Sequence, residues 1–169
     1  MEVVKGMSYT EKIEELLIRT NNESDEVMVS LKGEINDYEL LFRGYRTSAV
    51  ATVEPKAGAS VPVLIWELGP EDEKSLDIYE GYPRLYGKVD LEVQTEDGCE
   101  FIMAYTMNEG PEIGKPSMYY LETIKTGYVE AGFDVDHLLE RVSYCSEIVE
   151  KEHGHERMEE PAWNQQLLQ

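Results

Sequence analysis

From Val27 onward the apolar and polar positions alternate. Val27, Val29 and Leu31 share one face and Met28, Ser30 and Lys32 the other, a period of two that predicts a strand turning at Gly33. Tyr38 to Phe42 and Ser48 to Val53 read as further strands, with Gly44 as a bulge or bend between them. Pro55-Lys56-Ala57-Gly58-Ala59-Ser60 reads as a loop. Val61 to Leu68 is almost continuously apolar and too short for a buried helix, which makes it a central strand. Val89, Leu91 and Val93 then alternate with Asp90, Glu92 and Gln94, and Phe101, Met103 and Tyr105 return on one face. Between them Thr95-Glu96-Asp97-Gly98 carries the Asp-Gly pair of a tight hairpin. Such a succession favours an antiparallel meander closing into a barrel over a parallel α/β sheet.

Helical periods separate and follow these strands. Thr10 can cap a helix through Arg19 with Ile13, Leu16 and Leu17 inward, and Ser8 with Glu11 is a competing capping box. Gly69 and Pro70 open a second helix whose first turn carries Glu71, Asp72 and Glu73, charges that suit the positive end of the helix macrodipole. Gly81 ends it and Pro83 prevents its resumption. Asn108 to Lys115 is a Gly/Pro loop. Ser117 caps a third helix through Ala131, ended by Gly132. Asp134 caps a last one, striped with Val135, Leu138, Leu139, Val142, Cys145, Ile148 and Val149. The pattern divides the chain into a single domain over 1–150 and a charged, frayed tail over 151–169, with no internal repeat.

Composition narrows the partners. The 169 residues suffice for one core, and the net charge of −20 opposes nucleic acid and anionic membrane surfaces. An acidic ligand would need a local positive pocket, which the close pair Arg43 and Arg46 could supply; an exposed strand-edge role serves them equally well. The charge favours a soluble monomer without excluding a dimer. Cys99 and Cys145 show no Cys-x-x-Cys spacing, so two thiols are the default over a disulfide. No signal peptide is visible at the amino terminus and no apolar run approaches the ~18 residues of a membrane span, so a cytoplasmic protein is expected. His153-Gly154-His155, near Glu152 and Glu156, resembles a metal cluster in composition only, with no distant partner at ligand spacing. His137 falls on the polar side of the last helix, which leaves Ser/His/Asp chemistry without support.

The chemistry concentrates in Leu76-Asp77-Ile78-Tyr79-Glu80-Gly81-Tyr82-Pro83-Arg84-Leu85-Tyr86. Glu80 sits at the carboxyl end of its helix, where a negative charge is disfavoured, the direction a general acid/base working near neutrality needs. The plainer reading is a solvated carboxylate that precedes a stop signal.

These residues, with Val61 to Leu68 before them and Pro116-Ser117, Tyr120, Ile124 and Gly127 after, resemble the γ-glutamylcyclotransferase-like (AIG2-like) family over about residues 27–133. The resemblance implies an α+β fold: a small mixed, mostly antiparallel β-barrel with flanking helices. It implies Glu80 as the catalytic acid/base and a cofactor-free reaction. A small-molecule γ-glutamyl amine or γ-glutamyl amino acid would be cyclised to 5-oxoproline with release of the amine. Tyr120 and Tyr86 match positions expected to bind substrate, although a Tyr early in an amphipathic helix also serves as core packing. The family's carboxylate-binding turn would be Lys5-Gly6-Met7-Ser8; its Gly, which permits close backbone approach, is present, whereas the family's Tyr and Asn are not. The alternative is a catalytically degenerate binding or interaction protein of the same fold. Glu67, Glu71 and Asp77 are nearby carboxylates that do not match the catalytic position.

Overall fold

The computed structural model describes residues 2–5, 29–68 and 70–158. The expected helix from Thr10 to Arg19 and the Gly69 cap lie outside these residues, as do Gly6, Met7 and Ser8. Five strands, β1 (Glu2–Lys5), β2 (Val29–Arg43), β3 (Val50–Glu67), β4 (Tyr86–Thr95) and β5 (Gly98–Met107), are arranged in the order β1-β3-β2-β4-β5. All neighbours are antiparallel except β1 and β5. Those two pair in parallel at Val3↔Met103 and Val4↔Ala104, so the four-residue β1 closes the ring. Among the described residues three helices flank it: α1 (Pro70–Glu80), α2 (Met118–Ala131) and α3 (Val135–Met158). The α+β, mixed but mostly antiparallel arrangement agrees with the expectation from the sequence.

Two elements run further than the alternation implies. Gly33 does not turn the chain; it is an interior residue of β2, paired with Val63 on one side and Thr95 on the other. A Cβ there would lie 2.4 Å from Val93 Cγ1 and 3.2 Å from the Gln94 carbonyl oxygen. The glycine is therefore a point of close approach between β2 and β4, whose pairing is confined to Gly33↔Thr95 and Glu34↔Gln94. Likewise Pro55 to Ser60 is not a free loop but an irregular stretch inside the 18-residue β3. The register steps from Asn36↔Ser60 to Tyr38↔Pro55, so Lys56 to Ala59 bulge opposite the single residue Asp37. The Asp37 carboxylate accepts the Gly58 N–H at 2.7 Å and holds that bulge.

The helix ends follow local chemistry. Ser117 Oγ accepts the Tyr120 N–H at 3.2 Å to open α2, and Gly132 closes it while the Phe133 N–H reaches the Tyr128 carbonyl at 2.8 Å. Asp134 Oδ1 accepts the Asp136 N–H at 2.9 Å and starts α3. Helix α3 then runs to Met158, past residue 150, where the charge pattern marks a tail. Leu138, Cys145 and Val149 on α3 are buried, and Arg141 donates to the Leu40 carbonyl and pairs with Glu39, both on β2. Cys99 and Cys145 are free thiols, the former exposed and the latter buried. Ile35, Phe42, Val61, Val63, Ile65, Val93 and Ile102 fill the core between the strands. Along β4 the covered face switches: Tyr86 and Lys88 are covered on one side of the β4–β5 ribbon, Leu91, Val93 and Thr95 on the other.

Candidate active site

Helix α1 delivers Glu80 to the interior. Its inner face is made by Asp72, Glu73, Leu76, Asp77 and Glu80, of which Leu76 alone is apolar. Glu80 is 7% exposed, whereas Ile78, on the opposite face, is 84% exposed. The plainer reading of Glu80 as a solvated carboxylate is thus set aside by its burial. Gly81, at φ +66°, lets the chain reverse directly after Glu80, a conformation that a residue with a Cβ adopts at a cost. The Tyr82 N–H donates to the Asp77 carbonyl at 2.9 Å, and the N–H groups of Arg84 and Leu85 donate to the Gly81 carbonyl. Asn108, just past β5, sews this turn down: its side chain donates to the Pro83 and Arg84 carbonyls at 2.8 and 3.0 Å, and its N–H to the Leu85 carbonyl at 3.0 Å.

The turn leads into Tyr86, the first residue of β4, which is buried. Its hydroxyl donates to the Ala51 carbonyl at 3.3 Å, and the Ala51 N–H donates to the Tyr120 hydroxyl at 3.0 Å. The two tyrosines singled out from the sequence therefore meet on one β3 residue, where they stand in for the missing backbone partner of a strand edge. In its bond to Ala51 the Tyr120 phenol is the acceptor. Tyr120 also packs partly against the core, as the packing reading of it expects. One residue on, Thr52 Oγ1 accepts the Met107 N–H at 3.0 Å, tying the end of β5 to the same place.

Lys5 is the last residue of β1 and pairs with Leu64. Because β1 runs parallel to β5, the chain leaves it in the direction in which β5 proceeds to Tyr105 and Met107. That is the end of the barrel holding Tyr86, the register partner of Met107.

A charged cluster absent from the sequence expectations packs α1 onto the β4–β5 ribbon. Lys88 Nζ lies 2.6 Å from Asp77 Oδ1 and 2.7 Å from Glu73 Oε1, and the Tyr105 hydroxyl donates to Asp77 Oδ1 at 2.5 Å. Burial pushes the Asp77 carboxyl upward, but the hydrogen bonds from Lys88 and Tyr105 and the Lys88 charge outweigh it and hold it below its usual range. Burial likewise works against the Lys88 ammonium, and the bonds to Asp77 and Glu73 overcome it, leaving its pKa raised. The Tyr105 phenol is pushed well up by burial, then by its bond to Asp77 and the charges of Asp77, Glu73 and Glu80. Asp77 is thus an engaged member of the site and not a neutral neighbour of Glu80. The spacing Glu73, Asp77, Glu80 is the signal that could have found this face, since i, i+4 and i+7 share one side of a helix.

Arg43 supplies no open positive field: its guanidinium is engaged bidentately by Glu54 and donates to the Pro111 carbonyl at 3.0 Å, while Arg46 is exposed. A cleft of about 450 Å³ lined by Tyr38, Arg43, Glu54, Val89 and Met107 lies beside this pair. Val89 and Leu91 reach it from the ribbon face opposite to Tyr86 and Lys88. Among the described residues no three His, Cys, Asp or Glu side chains assemble as a metal site, and no helix is long and apolar enough to cross a membrane.

A barrel flanked by helices, with a buried carboxylate at the end of the first described helix and two tyrosines at the same barrel end, defines the class. Over residues 17–127 the sequence matches the family "Gamma-glutamyl cyclotransferase, AIG2-like", and the chain belongs to that family. A search among curated proteins finds no match. Among solved structures the fold is similar to a gamma-glutamyl cyclotransferase at 19% identity and TM-score 0.66, covering 89% of this chain and 98% of that one. It is similar to the uncharacterised protein loc79017 from Homo sapiens at 22% identity and TM-score 0.65, covering 83% and 85% of the two chains. A yeast gamma glutamyl cyclotransferase specific to glutathione is 12% identical with TM-score 0.56, covering 89% of this chain and 96% of that one. At these identities the likeness establishes the fold.

Proposed function

We propose that the protein is a cyclotransferase that converts a γ-glutamyl amine or γ-glutamyl amino acid to 5-oxoproline and the free amine. The observation that carries this reading is the burial of Glu80 at the carboxyl end of α1, at the position matching the family's acid, in a chain that belongs to the family. The reaction asks little of the protein beyond folding the substrate and moving protons from its α-nitrogen to the departing one. Glu80 takes a proton from the substrate's α-ammonium. The freed amine attacks the γ-carbonyl carbon, forming the ring N–C bond. The bond from that carbon to the departing nitrogen then breaks as Glu80 returns the proton to it, the second proton of the ring nitrogen passes to the released amine, which leaves as its ammonium, and no water is consumed. Lys5, Gly6, Met7 and Ser8 are proposed to hold the substrate's α-carboxylate through backbone N–H groups, and Tyr86 and Tyr120 to bound the substrate on the Ala51 side.

The test is 5-oxoproline release from a panel of γ-glutamyl amines and amino acids, measured by mass spectrometry for the wild type, Glu80→Gln and Glu71→Gln. Glu71 is the control because its side chain is 75% exposed. Turnover is expected to fall by roughly 10²–10⁴ in Glu80→Gln, the usual worth of a positioned acid–base group, and to persist in Glu71→Gln. Wild-type rates in Glu80→Gln would name the wrong carboxylate. The absence of Tyr and Asn from Lys5-Gly6-Met7-Ser8 favours a second reading, a binding protein of the same fold. No release by the wild type across the panel, with retained binding of a γ-glutamyl compound, would establish that one.

A further inference from the structure

We propose that Lys88 is a positioning residue for Glu80, fixing the last turns of α1 and the reversal after them against strand β4. Its kinetic consequence rests on the cyclotransferase reading, whereas its structural consequence does not.

The problem that Lys88 solves is visible in α1 itself. Four of the five inner-face residues are carboxylic acids, and the helix carries no basic residue in its last turn. Like charges one turn apart repel, and the carboxyl end of a helix repels them further. Such a face docks only if a cation outside the helix meets it. Lys88 does so at two carboxylates, Glu73 and Asp77, on the stripe that ends in Glu80. Its ammonium also stands over the Tyr82 ring, 4.7 Å from the centroid, and 5.6 Å from that of Tyr105. Lys88 therefore touches the residue three before Glu80 and the residue two after it.

What it fixes them to is equally specific. Lys88 and Tyr86 lie two apart on β4 and share a face, and Tyr86 is bonded to Ala51, which in turn bonds Tyr120. Anchoring α1 to Lys88 thus sets Glu80 relative to the tyrosine pair through one rigid strand. Tyr105, the register partner of Lys88, reinforces the anchor by its bond to the same Asp77 oxygen.

The experiment compares the full-length wild type, Lys88→Met, Lys88→Gln, Lys88→Arg and Lys74→Met. Lys74, exposed on the outside of α1 and paired with Glu71, is the control. The first readout is hydrogen–deuterium exchange. Lys88→Met should speed exchange across residues 70–85 by about tenfold or more while residues 135–150 keep wild-type protection, because only the local opening equilibrium shifts. Lys88→Arg, which keeps the charge and can donate to both carboxylates, should restore most of the protection, and Lys74→Met should match the wild type. Should Lys88→Met fail to fold, Lys88→Gln keeps a donor without the charge and reads the same equilibrium. The second readout is kinetic: kcat should fall by roughly 10–100-fold in Lys88→Met with KM within about threefold, as for a displaced reacting group, and recover in Lys88→Arg. Unchanged exchange over 70–85, or exchange accelerated everywhere alike, overturns the proposal. So does local acceleration with kcat intact in an active enzyme. If the wild type releases no 5-oxoproline, the functional reading fails, and the exchange pattern alone decides whether Lys88 anchors the helix.

Discussion

Helix α3 meets the barrel mainly through buried Leu138 and Cys145, with Arg141 paired to Glu39 beside them, whereas helix α1 turns Asp72, Glu73, Leu76, Asp77 and Glu80 inward. The first face is held mostly by removing apolar surface from water, which is non-directional and survives small shifts. The second is held by paired charges and hydrogen bonds, which are directional and lose their value when one partner moves. On α1 the large apolar side chains are turned outward, with Ile78 and Tyr79 exposed and Leu76 alone inside. A helix whose task is to stay docked can be greasy on its inner side. A helix that presents a buried carboxylate at a set place has reason to be charged there, and then requires a counter-charge such as Lys88 on the neighbouring strand.

The comparison predicts opposite responses to substitution, the largest of them on α3. Leu138 is 0% exposed, so Leu138→Ala should destabilise the protein by about 2–5 kcal/mol, the range for deleting a buried leucine side chain. Turnover per folded molecule should stay near that of the wild type. Denaturant melts with active-fraction correction measure both, and a loss of turnover with stability intact would break the division of labour. Next in size is Gly33→Ala at the β2–β4 contact. Its Cβ would press on Val93 Cγ1 and the Gln94 carbonyl, so a loss of about 1–3 kcal/mol is expected, as for other overpacked sites.

Much of the fold was legible because its signals are local. The Asp97-Gly98 hairpin, the Ser117 and Asp134 caps and the apolar stripe of α3 each lie within a few residues of sequence, and each appears in the structure, except that Leu139 of the stripe is exposed. Gly33 and Pro55 to Ser60 were misread because Gly and Pro mark both turns and places where another strand approaches or bulges. Only the partner, here Val93 or Asp37, tells them apart. The candidate site divides the same way. Glu80 is legible as a carboxylate at a helix stop, although its burial is not, and Tyr86 and Tyr120 stand in motifs. Their meeting on Ala51, 35 and 69 residues away, and the grip of Lys88 on Asp77 and Glu73 have no periodic trace in the chain.

The charged face of α1 should also respond to pH at both extremes. Asp77 is held below its unfolded value of 3.8, so its contribution is present above about pH 4 and is lost as pH falls through the folded pKa. Lys88 and Tyr105 are raised above their unfolded values of 10.5 and 10.0. Their contributions are complete below those values and are lost as pH rises through the folded pKa values. Melting temperatures followed by circular dichroism should therefore fall on both sides. Tyr105→Phe should flatten the alkaline limb, because the phenol whose ionisation opposes folding is gone, and should weaken the acid limb by removing one donor to Asp77. An alkaline limb of unchanged slope in Tyr105→Phe would show that the phenol is not coupled to folding.

The smallest expected effect lies on the outer face of α1 and is the sharpest test of its inverted polarity. In an ordinary amphipathic helix a lone isoleucine among acids and lysines marks the buried side, and replacing it with lysine would leave a charge in the core. Ile78 instead is 84% exposed, between Asp77, which faces Lys88, and Tyr79, which faces outward. Ile78→Lys should therefore change stability by no more than about 0.5 kcal/mol, the usual span for a surface substitution. Its sign should be favourable, since a cation in the last turn interacts well with the negative end of the helix dipole and α1 has none there. Urea melts of the wild type and Ile78→Lys, run beside Leu138→Ala, give the comparison in one experiment. A penalty for Ile78→Lys approaching that of Leu138→Ala would mean that the outer face of α1 is itself an interface, and the contrast between the two helices would fall.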